Sequence, residues 1–141
     1  MNIQLMDADQ CWDIVIKARD GSRSQTLALE RFITFCETVL QSLNIYRNFP
    51  TVRAQAQKKI LSFASDFDKS LETIREVDYI PELKMLVLKK ALKFSSTMEE
   101  YEKLLPYFDE RSHGAYICIK KIKELSSMKS VVPEKKALCV A

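Results

Sequence analysis

The sequence predicts an all-α protein: a single-domain antiparallel bundle of five to six helices with a flexible C-terminal tail. Three observations carry this expectation. Apolar residues recur at three- and four-residue steps along most of the chain, the pattern of one-sided helices. Prolines fall where that pattern breaks, at Pro50, Pro81 and Pro106, and only two glycines occur, Gly21 and Gly114. With 141 residues, 47% of them apolar, the chain is long enough to bury a core without a metal or a disulfide.

The first helix opens at Asp7 or Asp9 and closes before Gly21, with acidic residues at its amino end and Lys17 and Arg19 at its carboxyl end, as the helix dipole favours. Cys11, Ile14, Val15 and Ala18 make one face. Trp12 and Ile16 form a second apolar patch, so Trp12 is either covered from another side or serves as an anchor for a partner. Ser22 to Thr26 then reads as a polar loop rich in capping residues.

The stretch from Ser24 to Val77 organises the rest as two long amphipathic helices meeting at an elbow, Asn48-Phe49-Pro50-Thr51. Leu29, Phe32, Ile33, Cys36, Val39, Leu40 and Leu43 lie within about 60° of one direction on the first arm. Ala56, Ile60, Phe63, Ala64, Phe67, Leu71 and Ile74 do the same on the second. Pro50 removes a backbone donor and pushes Phe49 out of helical geometry, so the arms fold back on each other.

Pro81 is placed as the first residue of a fourth helix running to Phe94, whose apolar arc is about 200° wide and too broad for one neighbour. Thr97 and Glu100, or Ser96 and Glu99, are spaced as capping boxes for a short fifth helix that ends or kinks at Pro106. A sixth helix runs from about Ala115 to Met128, with Cys118, Ile122 and Leu125 inward and Tyr116, Lys120 and Lys123 opposite. Residues 1–129 form the helical domain, and residues 130–141, without helical periodicity, the tail. No internal repeat is expected, because helices of such different lengths do not make a regular solenoid.

Several function classes are excluded. Two distant glycines cannot build a phosphate-cradling loop, a dinucleotide fingerprint or a nucleophile elbow, each of which needs closely spaced glycines. Cys11, Cys36, Cys118 and Cys139 lack metal-ligand spacing, and His113 is the only histidine, so neither a metal nor another cofactor is expected. Asp109, Ser112 and His113 carry the residue types of a triad, but neighbours on one turn do not converge as acyl transfer requires. No catalytic residue is assigned. The amino end lacks a signal peptide and no segment has the length of a membrane span, so free thiols point to the cytoplasm, or the nucleus.

What remains is a non-enzymatic adaptor or scaffold that binds a protein partner, a second copy of the chain being one candidate. Its partner-binding residues are expected at Trp12 and Leu86 on the surplus apolar surface and at Lys89, Lys93, Tyr116, Lys120 and Lys123 on the basic one. The alternative is a module that binds nucleic acid or an anionic membrane through its C-terminal lysines: residues 111–141 carry seven basic against two acidic residues.

Overall fold

Capping side chains set where the chain turns into helix and back. Asp7 accepts the Gln10 N–H, Thr38 that of Gln41, Asp66 that of Lys69 and Thr97 that of Glu100, each satisfying a donor that a helix start leaves unpaired. Three of these close as full capping boxes, with Gln10, Gln41 and Glu100 reaching back to the cap's own N–H. The computed structural model describes residues 2–128 with their side chains, and the backbone course of residues 129–140. Among the described residues it is all-helical, with eight α-helices: α1 (Ala8–Lys17), α2 (Arg23–Thr34), α3 (Val39–Asn48), α4 (Arg53–Phe63), α5 (Phe67–Val77), α6 (Pro81–Phe94), α7 (Met98–Leu104) and α8 (His113–Val140). Short 3-10 turns lie at Ile3–Leu5, Pro50–Val52 and Leu105–Tyr107. The flexible tail expected for residues 130–141 falls outside the residues whose side chains are described.

The count of five to six helices is therefore corrected to eight. The elbow at Pro50 is where the sequence places it, but each long arm is two helices. The breaks, at residues 35–38 and 64–66, contain neither glycine nor proline. They are made by the caps Thr38 and Asp66, and Ala64 leaves helical geometry at φ −84°, ψ 68°. Apolar spacing runs through both breaks almost in phase, so Ile33 and Cys36, or Ala64 and Phe67, are buried on both sides of each one. Periodicity alone cannot register such a corner.

Once the arms are divided, the helices become comparable in length and the expectation of no repeat is overturned. The chain is a series of helical hairpins, α1–α2, α3–α4, α5–α6 and α7–α8, each packed mainly within itself and against the next. The repeat is 31 residues. Cys11, Ser42, Thr73 and Leu104 stand at that spacing, as do Val15, Tyr46, Val77 and Phe108, and Gln25, Ala56, Val87 and Cys118; all twelve are buried. Pro50 and Pro81 are again 31 apart: Pro50 opens the 3-10 turn that leads into α4, and Pro81 is the first residue of α6. A single hairpin of this size cannot hide its apolar stripe, so each depends on its neighbours for a core. One continuous cluster, from Val15 through Leu29, Ile60 and Leu88 to Cys118, runs the length of the stack.

The amino end is closed by the 3-10 turn Ile3–Leu5, which packs on α2, and by Met6, whose carbonyl accepts the Arg31 Nε–H at 3.4 Å. In the first hairpin's corner Gly21, alone among the described residues, takes a positive φ, +77°, where its N–H reaches the Gln25 side chain.

Candidate functional site

The stack has two sides along its length, and the two differ in charge. Over residues 23–34, 53–63, 81–94 and 113–128, the second helices of the hairpins carry twelve Lys and Arg against three Glu, a formal +9. The first helices, α1, α3, α5 and α7, carry five basic against eight acidic residues, or −3. A whole-chain charge of +3 hides this separation. The sequence shows a gradient along the chain; the fold turns it into a gradient across the molecule.

The repeat also sorts lysines that look alike. Lys58-Lys59, Lys89-Lys90 and Lys120-Lys121 are adjacent pairs 31 residues apart. In the first two pairs the second member lies on the side turned to the preceding hairpin. Lys59 Nζ donates to the Thr34 carbonyl at 3.3 Å and Lys90 Nζ to the Leu61 carbonyl at 2.6 Å, so each neutralises the C-terminal end of the preceding second helix. Lys121 instead meets Glu124 on its own helix at 3.8 Å. The first members, Lys58, Lys89 and Lys120, are exposed, and none joins an ion pair among the described residues. They form a ladder of cations at equivalent places on α4, α6 and α8.

Of the residues expected to bind a partner, Lys89, Lys93, Tyr116, Lys120 and Lys123 are exposed on this basic side. Tyr116 is 59% exposed, one turn before Lys120 and stacked near His113. The two apolar residues are placed differently. Trp12 is half-buried, its ring 5.1 Å from Phe32 and 6.2 Å from Phe49 in an edge-on contact, so it joins the first hairpin to the second. Leu86 is half-buried; its repeat counterpart Gln55 reaches back to Glu30 at 3.2 Å. The broad arc of α6 is accounted for in the same way. Leu83, Val87, Leu88 and Ala91 are all buried, since α6 packs against α5, α4 and α7; Met85 and Phe94 remain partly exposed. Lys58 was missed by sequence reading, though a scan at a fixed period would have paired it with Lys89 and Lys120.

The polar turn before α8 is occupied with capping. Ser112 Oγ accepts the Ala115 N–H at 3.1 Å and donates to the Asp109 carbonyl at 2.7 Å, while Asp109 accepts the Arg111 N–H. His113 is exposed beside it. Among the described residues no three His, Cys, Asp or Glu side chains gather as a metal site, and no helix is long and apolar enough to cross a membrane. Burial pushes the thiols of Cys11, Cys36 and Cys118 above their ordinary range, with the Ser42 hydroxyl partly offsetting this at Cys36.

Comparison with models of known families, with characterised proteins and with solved structures gives no match. The functional reading therefore rests on the molecule's own surface.

Proposed function

We propose that this protein is a non-enzymatic helical-repeat adaptor that takes an acidic protein segment along the lysine side of its second helices. The observation that carries this reading is the separation of charge between the two helix layers, +9 against −3. Lysines held in a ladder, with Met85, Tyr116 and Ile119 partly exposed on the same helices, suit a partner that alternates carboxylates with apolar side chains. A second reading, binding to nucleic acid or an anionic membrane, draws on Tyr116 beside Lys120, an aromatic face next to a cation. In either case the protein works without cofactor or metal, and its buried free thiols suit the cytoplasm or nucleus.

The test is an anisotropy titration at low and moderate salt with three probes: a labelled Glu/Leu-rich peptide, a single-stranded RNA and vesicles containing phosphatidylserine. The peptide is expected to bind, and Lys58→Glu, Lys89→Glu and Lys120→Glu together to weaken it by at least about tenfold, since each near-surface charge contributes a fraction of a kcal/mol and reversal doubles the effect. Preference for RNA or vesicles transfers the conclusion to the second reading. If none of the probes responds to the triple change, the lysine side is ordinary solvated surface.

A further inference from the structure

The repeat defines which surfaces each hairpin offers to the one after it. On the second helices the hydrogen bonds from Gln55 to Glu30, Lys59 to Thr34 and Lys90 to Leu61 mark the forward-looking side. On the first helices the Trp12–Phe49 contact and the Arg75 Nε–H to Tyr107 hydroxyl bond at 3.4 Å mark it. Followed at 31-residue steps, the forward positions are Trp12, Leu43, Ile74 and Leu105 on first helices, and Thr26, Gln57, Leu88 and Ile119 on second helices. In the third hairpin both are covered, Ile74 at 0% and Leu88 at 1% exposure. In the fourth, Ile119 is 40% exposed and Leu105 half-buried. Between them, with Phe108 and Ala115 as further walls and Asp109 and Glu110 beside them, lies an open recess of about 650 Å³. Among the described residues nothing fills the place that a following hairpin takes elsewhere in the stack.

We infer that this end of the stack is a docking face for a second copy of the chain, joined end to end about a two-fold axis. What covers the equivalent face three times within the molecule is a hairpin of the same repeat, so the occupant is of that kind. Head-to-tail addition is closed, because the opposite end is already covered by the Ile3–Leu5 turn, which packs on α2, and by Met6, whose carbonyl accepts from Arg31, and Ala28 of α2 is 0% exposed. Two like ends also complement each other in charge. The α7 side of the face carries Glu102, where the third hairpin has the buried Leu71, together with Asp109, and the α8 side carries Lys123. A two-fold rotation sets the acidic side of one copy against the basic side of the other. Over its sixteen described residues α8 presents about 24 Å and α7 with the turn after it about 16 Å, so two helices about 10 Å wide offer roughly 400 Å² from each copy. That is below the standard size of a specific interface, so the dimer is weak and forms and dissociates with concentration.

Sedimentation equilibrium of the full chain from about 1 to 500 μM is expected to show a monomer–dimer transition, a range that fits an interface of this size. Ile119→Glu, at an already exposed position, should raise the dissociation constant by about tenfold or more while circular dichroism stays unchanged. Glu102→Lys and Lys123→Glu should each be monomeric alone and should pair when mixed. A wild type monomeric throughout that range overturns the inference, as does a dimer indifferent to Ile119→Glu, or charge variants that fail to pair on mixing. Lys58→Glu and Lys89→Glu lie on other hairpins than this face, so their effect on peptide binding and the effect of Ile119→Glu on the dimer tell failure of the partner reading from failure of the dimer.

Discussion

Lys89 and Lys90 are neighbours with the same chemistry, yet the repeat assigns them opposite duties, and replacing each by Met separates the two. Lys90 Nζ sits 2.6 Å from the Leu61 carbonyl in the last turn of α4, whereas Lys89 is exposed and without an ion pair among the described residues. Methionine keeps most of the stem, so packing is largely preserved and the loss is the ammonium group. The Leu61 carbonyl also accepts the Ala64 N–H at 3.2 Å, so Lys90→Met leaves no orphaned acceptor. A charged hydrogen bond contributes about 1.5–3 kcal/mol, and a cation at a helix C-terminus about 0.3–1 kcal/mol, but Lys90 is only half-buried and solvent screens both. The expected cost of Lys90→Met is about 1–2 kcal/mol, or a drop of roughly 3–6 °C in Tm for a chain of this length. Lys89→Met should stay within about 0.5 kcal/mol of wild type. Urea titrations followed by circular dichroism would measure both. Equal stabilities for the two variants would refute the idea that Lys90, like Lys59 one repeat earlier, joins consecutive hairpins.

Two further predictions concern groups whose titration the fold has altered. The Ser96 N–H, followed by the Thr97 N–H and the hydroxyls of both residues, holds the Glu100 carboxyl below its ordinary range against a smaller upward effect of burial. A depressed pKa contributes stability that is fully present above the unfolded carboxylate value, near pH 4.3, and is lost as pH falls through the lower folded value. Glu100→Gln, which installs the residue type found at Gln10 and Gln41, should keep the capping box and flatten the acid limb of a urea-midpoint-against-pH curve; an unchanged acid limb would show that the cap carries no charge dependence. The thiols of Cys11, Cys36 and Cys118, raised by burial, should alkylate at neutral pH far more slowly in the folded protein than in urea; peptide mapping that found any of them labelled at the unfolded rate would contradict the packing described.

The sequence by itself determined that the chain is helical, that it turns at Pro50 and Pro81, and that a capping box at Thr97 and Glu100 or at Ser96 and Glu99 opens a helix, of which the structure takes the first. These are local matters: a missing backbone donor, a fixed φ and a side chain within reach of three consecutive N–H groups act over a few residues and can be read there. It also carried the 31-residue repeat, hidden because the corners at Thr38 and Asp66 interrupt the backbone without interrupting the apolar spacing. The capping pair Thr38 and Gln41 was the available signal. Only the tertiary structure decided which face of each helix meets which neighbour. Trp12 stands out on a single helix as surplus apolar surface, and it ceases to be surplus when the next hairpin packs against it. The lysines follow the same rule: one step of about 100° around a helix separates Lys90, which bonds a neighbouring carbonyl, from Lys89, which faces water. Contacts between hairpins join residues about 30 positions apart, such as Lys90 with Leu61, and no property of either residue alone selects the other. The stacking of one hairpin on the next makes that selection, and with it the basic side and the open end on which the functional readings stand.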